Sequence, residues 1–374
     1  MRVAIISKTF VNHTAQRQLE WLAREPGIEL TLITPPRWHN DDGRILPFEP
    51  RYTDGYDIRQ LPVRFNGNYH LYTYRGLRST LRSLRPAIVH IDEEPYNPAG
   101  AQAQRAAGAA GARTVFVAWQ NLYRAYPPPF SWLERDNYRR TAHIIAGNAD
   151  VAGVLRRKGY RGPLSTFSVH GIDPTIYSPL PRNTHADQFI VGYVGRLVLY
   201  KGAGLLVEAL AGMPDRCRLR LIGSGPDEAA LRQLAAERGV AARVEFLAAV
   251  PTTEIPRALA GIDTLALPSL TQPGWKEQFG RILIEAMACE VAVVGSDSGE
   301  IPHVIGDAGL IVPEGDVAAL RAALLRLASE PALRRMYAGR GRERVRAHFT
   351  QEHVAQRIAA VYREVIDAAK PPRA

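Results

Sequence analysis

Two α/β domains, each a doubly wound parallel sheet, are what this sequence predicts, and three observations predict them. Short apolar runs alternate with helical patterns from one end of the chain to the other, the arrangement that builds parallel sheets. The 374 residues suffice for two such domains. A polar segment between Gly171-Ile172-Asp173-Pro174 and Asp187, punctuated by Pro174, Pro179 and Pro181, breaks the alternation and reads as a linker. The expected division is 1–178 and 186–349. Two such domains facing one another leave a cleft at the carboxyl ends of their strands, where ligands of these sheets bind.

In the first half Val3–Ser7, Leu30–Thr34, Ala87–Ile91, Thr114–Ala118 and His143–Ala146 read as strands, being short, apolar and rich in β-branched residues. Gln16–Arg24, Tyr72–Leu84, Ala99–Ala110 and Ser131–Arg140 read as the helices between them. Arg37 to Asn68 is a long polar excursion rich in Pro, Asp and Gly, and Pro127-Pro128-Pro129 is a stiff connector. In the second half Ile190–Val194, Arg218–Ile222, Val244–Leu247, Thr264–Leu267 and Val291–Gly295 read as strands. Leu205–Leu210, Glu228–Arg238 and Arg281–Ala288 read as helices, and the tail from Thr350 is helical.

Composition narrows the function. Hydrophobic residues make up 46% of the chain, ordinary for globular cores. Cys217 and Cys289 both sit in apolar surroundings, which implies a reducing compartment and core packing, not a disulfide framework or a nucleophile. Met1–Ser7 is too short for a signal-peptide core, and no apolar run approaches the roughly 20 residues of a transmembrane helix. A cytoplasmic protein is expected, with the inner face of the membrane as a second place for it. The net charge is +10, and residues 1–180 hold 23 basic and 15 acidic side chains, so +8 lies there. Arg75, Arg78, Arg82 and Arg85 are spaced three or four apart among Leu77, Leu81 and Leu84. Such a basic face suits an anionic membrane surface or an acidic acceptor, and equally a merely solvated helix. Basic-aromatic interleaving and nucleic-acid modules are absent, so nucleic acid is not an expected partner.

The most specific stretch is Lys276-Glu277-Gln278-Phe279-Gly280-Arg281-Ile282-Leu283-Ile284-Glu285-Ala286-Met287-Ala288. Glu277 lies in a loop after a buried strand and Glu285 lies one turn into a helix, so both carboxylates can face one cleft beside a helix N-terminus that favours phosphate. Taken bare, two glutamates eight apart are as well explained by one surface and one helix-interior position. Phe279-Gly280 and Glu285-Ala286-Met287-Ala288 make the difference. With them the segment resembles the signature of family 4 glycosyltransferases, retaining enzymes of the GT-B fold. Val191–Leu197 followed by Lys201-Gly202 resembles that family's strand and loop with its diphosphate-binding Arg and Lys. Leu221–Pro226 resembles the next strand and turn, with Gly223 and Ser224. Ser298–Pro302 and Ala308–Pro313 resemble later loops and strands in the family's order. The resemblance covers nearly the whole chain.

The resemblance implies a retaining transfer of a hexose from a nucleoside-diphosphate sugar to an acceptor that is sugar-containing, lipid-linked or acidic. No cofactor beyond that donor is implied, and no metal, since no D-x-D motif is present to hold one. Arg196 forks onto phosphate oxygens and Lys201 adds a point charge. Backbone N–H groups of Phe279 and Gly280 complete the clamp, with Gly195 and Arg281 beside the donor. Glu285 accepts ribose hydroxyls, and Glu277 holds the donor sugar near its anomeric carbon. The leaving phosphate serves as base. The C-terminal helix, about 350–374, is implied to return to the first domain.

Two departures concern the acceptor side. Where many members have Gly-Gly after the first strand this chain has His13-Thr14, and where a histidine commonly follows the fourth strand it has Trp119-Gln120-Asn121. Gln120 bonds a hydroxyl but cannot shuttle a proton at neutral pH. Asp92-Glu93-Glu94 leaves a strand toward the cleft; Glu93 or Glu94 either positions the acceptor or caps the helix near Pro98. Competing readings are a nucleotide-sugar-binding subunit without transfer activity and a GT-B nucleotide-sugar epimerase. Gly223-Ser224-Gly225 lacks the third glycine of a dinucleotide fingerprint, and Gly-x4-Gly-Lys is absent.

Overall fold

The computed structural model describes residues 1–40, 43–181 and 187–369. The chain forms two compact units, Met1–Gly171 with Gln351–Ala374, and Ile172–Thr350.

In the first unit seven parallel strands form one sheet: β1 (Arg2–Ile6), β2 (Glu29–Thr34), β3 (Tyr56–Gln60), β4 (Ile88–Ile91), β5 (Arg113–Ala118), β6 (His143–Ala146) and β7 (Leu164–Thr166). Their order across the sheet is β7-β6-β5-β4-β1-β2-β3. β4 and β6 are buried along their whole length, as strands covered on both faces must be, which explains their continuous apolar sequences. The helices are α1 (His13–Ala23), α2 (Leu77–Leu84), α3 (Pro98–Ala109), α4 (Phe130–Arg140) and α5 (Ala149–Arg157). Asn97 and Asn148 start α3 and α5, each side chain accepting the N–H three residues on.

In the second unit six parallel strands follow the same plan: β8 (Phe189–Val194), β9 (Cys217–Ile222), β10 (Val244–Leu247), β11 (Thr264–Leu267), β12 (Ala292–Ser296) and β13 (Gly309–Val312), in the order β10-β9-β8-β11-β12-β13. Around them lie α6 (Ala203–Ala211), α7 (Glu228–Glu237), α8 (Ile255–Ala260), α9 (Arg281–Ala288), α10 (Ile301–Ile305), α11 (Val317–Ser329) and α12 (Pro331–His348). A last helix, α13 (Gln351–Asp367), belongs to the first unit, where it packs on α1. Its Tyr362 hydroxyl lies 2.6 Å from Nδ1 of His90 on β4. Burial pushes His90 down to about 4, so the imidazole is neutral and serves as a core hydrogen-bonding group.

The strand orders locate the sites. In each sheet the chain lays strands to one side of a founding strand, β1 or β8, then returns to lay the rest on the other side. The reversals fall between β1 and β4 and between β8 and β11. Loops leaving adjacent parallel strands diverge at such a switch point and leave room for a ligand at the strands' carboxyl ends.

Several expectations change. The first division falls at Gly171, not in the proline-marked linker, because Ile172 and Tyr177 are buried in the second unit's core. The polar excursion 37–68 is not structureless: 37–39 pairs with 45–47, 63–64 pairs with 73–74, and β3 joins the main sheet beside β2. β3 is an edge strand with three exposed residues in five, so it carries little apolar signal. α2 begins five residues later than expected. Gly76 sits in the left-handed region (φ 75°) directly before it, so Arg75 precedes the helix. Arg85 ends it, also left-handed (φ 45°), leaving Arg78 and Arg82 on α2 itself; all four arginines are exposed. His13-Thr14 opens α1 and does not lie in a loop.

Candidate functional site

Four loops meet at the switch point of the second unit, joined backbone to backbone. Leu197 N–H donates to the Ser224 carbonyl at 3.0 Å, Leu270 N–H to Tyr200 at 2.8 Å, and Glu300 N–H to Glu277 at 3.2 Å. Such close approach depends on glycine. A Cβ on Gly202 would fall 1.9 Å from the Pro268 carbonyl oxygen, and one on Gly299 would fall 2.0 Å from that of Glu277. Both also have left-handed φ, 74° and 54°. Gly223 similarly lies against the Gly195 carbonyl.

On this platform the candidate side chains fall into two groups. Lys201 Nζ lies 2.6 Å from Glu277 Oε2, which also accepts from Ser269 Oγ at 3.0 Å. The ammonium rests 4.8 Å over the Trp275 ring, itself against Tyr200. Arg196 stands exposed on the same loop as Lys201, and its side chain makes no hydrogen bond or ion pair among the described residues. Ser224 is exposed on the neighbouring turn. The second group is Glu285, whose Oε1 accepts from the Tyr177 hydroxyl at 3.1 Å and pairs with Arg281 Nε at 2.9 Å. Burial raises the Glu285 carboxyl, and Arg281 and Tyr177 draw it part of the way back. Gly280 precedes α9 and Phe279 is buried edge-on to Phe349, so the turn between the two glutamates is anchored.

Sequence reasoning expected Glu277 and Glu285 to face one cleft, with Arg196 and Lys201 exposed in it. The two carboxylates are almost fully buried and Lys201 is ion-paired, because buried carboxylates require a charged or hydrogen-bonding partner. Ser269, Trp275 and Tyr177 had been missed. Trp275 and Tyr177 act on Lys201 and Glu285, far off in sequence, and Ser269 acts on Glu277 eight residues on, with no pattern in the loop to mark it.

The first unit repeats this arrangement. Asp92 Oδ2, after β4, accepts from Ser7 Oγ at 2.7 Å and Thr9 Oγ1 at 2.9 Å, both after β1. Glu93, with no exposed side-chain surface, pairs with Lys8 Nζ at 2.6 Å. Glu94 turns the other way, toward β5, and accepts the Trp119 N–H at 2.8 Å. The helix-capping alternative for the acidic run is excluded, since Asn97 caps α3. Trp119 stacks on the exposed His170 ring at 4.4 Å. Gln120 Oε1 accepts from Lys158, which also pairs with Glu134 at 2.7 Å, while Gln120 Nε2 is buried with no hydrogen bond among the described residues. Asn121 is buried. His13 lies 3.6 Å from Glu49, away from this group, and the Thr14 side chain is outside the described residues.

Glu94 supplies a test in pH. Burial pushes its carboxyl up to about 7, against the Trp119 N–H and Lys158, which favour the anion. A raised acid pKa means the folded state holds the proton more tightly, so stability falls as pH rises from the ordinary carboxylate range to about 7. Glu94→Gln should match wild type in thermal midpoint near pH 4 and exceed it progressively up to pH 7. A gap independent of pH would show that the Glu94 carboxyl titrates in the folded protein as it does in the unfolded chain.

Among the described residues no cluster of His, Cys, Asp or Glu could hold a metal ion.

With this geometry in hand, comparisons with known proteins are consistent across the chain. A model of "Glycosyl transferases group 1" matches residues 181–344, and one of "Glycosyl transferase 4-like domain" matches residues 11–166. Alpha-maltose-1-phosphate synthase of Mycolicibacterium smegmatis is 31% identical over 264 residues, 63% of this chain and 66% of that protein. GDP-mannose-dependent monoacylated alpha-(1-6)-phosphatidylinositol monomannoside mannosyltransferase of Corynebacterium glutamicum is 29% identical over 255 residues, 62% of this chain and 66% of that protein. The matched stretch thus spans just under two thirds of each relative. Among solved structures, sucrose-phosphate synthase from Thermosynechococcus elongatus superposes with a TM-score of 0.72 over 98% of this chain and 100% of that one. At 20% identity that likeness concerns the fold. Two matched models covering both halves in order, on two switch-point sheets, show that the chain belongs to the family 4 glycosyltransferases of the GT-B fold.

Proposed function

We propose that the chain transfers a hexose from a nucleoside-diphosphate sugar, held by the second unit, to a hydroxyl of an acceptor recognised by the first, with retention of anomeric configuration. The observation that carries this reading is the pairing of exposed Arg196 with Lys201 on one loop, Lys201 being tied to Glu277 at the switch point. The bond from the anomeric carbon to the phosphate oxygen breaks with its electron pair going to that oxygen, adding one negative charge to the two the diphosphate already carries. Arg196 and Lys201 stabilise that developing charge, and the N-terminal end of α9 adds its amide dipoles. Glu285, fixed by Arg281 and Tyr177, is placed to accept ribose hydroxyls, and Glu277 to steady the sugar as positive charge grows at its anomeric carbon. The acceptor oxygen attacks from the face the phosphate leaves, and its proton passes to the departing phosphate oxygen.

Thermal-shift measurements with UDP-, GDP- and ADP-sugars identify the donor. At 100 times its dissociation constant a ligand adds about 2.7 kcal/mol of stability. GDP-mannose and a lipid-linked acceptor enter the panel because one relative's name specifies them. Transfer of radiolabelled sugar then tests the reaction. Donor binding with no transfer to any acceptor, or conversion of the donor to its epimer, would overturn the proposal.

Metal independence is part of the same reading, supported by the two cations positioned for phosphate. Addition of EDTA should leave transfer unchanged; activity abolished by the chelator and restored by magnesium or manganese would refute it.

A peripheral membrane role rests on the four exposed arginines at and around α2. No helix among the described residues is long and apolar enough to cross a membrane. Basic residues near an anionic surface contribute about 1 kcal/mol each and are screened by salt. Arg78→Glu with Arg82→Glu should therefore lower the liposome-bound fraction several-fold at low salt, with donor affinity unchanged. Equal binding by wild type and variant would make α2 a solvated face.

A further inference from the structure

The two switch points carry the same device. In the second unit a lysine following the founding strand pairs at 2.6 Å with a buried glutamate after the returning strand and rests on an aromatic ring. In the first, Lys8 pairs at 2.6 Å with Glu93 under the same topology, on three rings in place of one. Trp38, Tyr69 and Tyr72 stand 5.7, 5.7 and 5.1 Å from its Nζ by ring centroid.

Burial decides which of these groups a ligand can touch. Glu93 is enclosed by Lys8, Tyr74 and Asn97, so it cannot meet an acceptor itself. Lys8 keeps 14% of its side chain exposed. Two of its three donors go to Glu93 and, at 3.1 Å, to the Tyr72 hydroxyl; the third has no partner among the described residues. Tyr69 is 38% exposed, and its hydroxyl is bound by Trp38 Nε1 and Asn40, which fixes the ring. A rigid, partly exposed ring results beside one charge-assisted donor that has no partner among the described residues.

Resting on the reading given under Proposed function, we infer that Lys8 and Tyr69 form an acceptor subsite for a neutral polyhydroxylated ring, Lys8 Nζ donating to a ring hydroxyl and Tyr69 supplying the face it lies on. Charge selects the ligand class. Lys8 and Glu93 cancel, and Asp92, bound by Ser7 and Thr9, adds one negative charge. Phosphate or carboxylate meets no net attraction there, whereas a hydroxyl gains a hydrogen bond from a cation. Glu93 is a positioning residue that holds Lys8 against the rings. Its charge and that of Asp92 keep the ammonium above its ordinary value although burial opposes this.

Saturation-transfer NMR on the full chain without nucleotide, with the methyl α-pyranosides of glucose, mannose and galactose and with inorganic phosphate as probes, tests this. At least one pyranoside should bind the wild type, and Lys8→Met should weaken it about tenfold or more. The pair Lys8→Met and Glu93→Gln, which leaves no buried charge unpaired, should show the same loss if the single variant folds poorly. Tyr69→Ala should weaken it several-fold, and Tyr69→Phe, which keeps the ring face but frees it from Trp38 and Asn40, should weaken it less. UDP and GDP binding should be unaffected in every variant; failure of nucleotide binding in the wild type counts against the proposed function and leaves the pyranoside result to be read alone. No pyranoside binding, unchanged affinity in the double variant, or phosphate binding that disappears with Lys8 would overturn the inference.

Discussion

Replacing Arg196 or Lys201 by alanine is expected to lower kcat/KM by a factor equivalent to about 2–4 kcal/mol each, with the pair less than additive. The two should differ in stability. Arg196 is exposed and its side chain makes no hydrogen bond or ion pair among the described residues, so its loss should leave the thermal midpoint unchanged. Lys201→Ala removes the 2.6 Å partner of a glutamate that is 5% exposed. Breaking a buried pair costs about 3–5 kcal/mol, and the partial exposure of Lys201 places this case at the lower end. Adding Glu277→Gln should restore the midpoint without restoring turnover. Wild-type kinetics in Arg196→Ala with Lys201→Ala would remove both residues from the reaction.

Gly202→Ala should be nearly as damaging, though it deletes no functional group. The added methyl would lie 1.9 Å from the Pro268 carbonyl oxygen, in a backbone conformation (φ 74°) unfavourable for alanine. The left-handed conformation costs about 1–2 kcal/mol, and separating the loops adds to it, roughly 2–4 kcal/mol together. Since Gly202 follows Lys201 and Pro268 precedes Ser269, the displacement moves Lys201 relative to Glu277, so donor affinity should fall with stability. Gly204→Ala is the control. It lies two residues on, in α6, where a new Cβ meets only the Leu234 and Leu231 side chains, at 3.7 and 3.8 Å, ordinary van der Waals contact. Alanine there should be neutral or stabilising by about 0.5–1 kcal/mol. Similar urea midpoints for the two variants would refute the close-packed loop account.

The contrast between these two glycines shows what the sequence discloses. Strands β6 and β11 and helix α9 occupy the residues their apolar patterns marked, because elements buried on most sides write their burial into consecutive residues. Elements with mixed exposure did not. β3 is mostly solvent-facing, and α5 is announced chiefly by Asn148, a cap with little meaning until the next turn is known. Motif residues could be assigned to loops but not paired. Lys201 and Glu277 are 76 positions apart, and Lys8 and Glu93 are 85 apart. Only the order of strands in a sheet makes those separations short. Lys8 carried one legible sign, a cation placed directly after a founding strand, as Lys201 is after the loop of another.

The return of α13 to the first unit has a consequence for synthesis. Val354, Ala355, Ile358, Ala359, Val361, Tyr362 and Val365 belong to that unit's core, yet they are translated after the entire second unit. While the ribosome makes residues 172–350, the emerging amino-terminal sheet lacks one covering helix, and the buried His90 lacks the Tyr362 hydroxyl. Vectorial folding therefore completes the second unit first, and the amino-terminal unit closes last, with the arrival of its final helix.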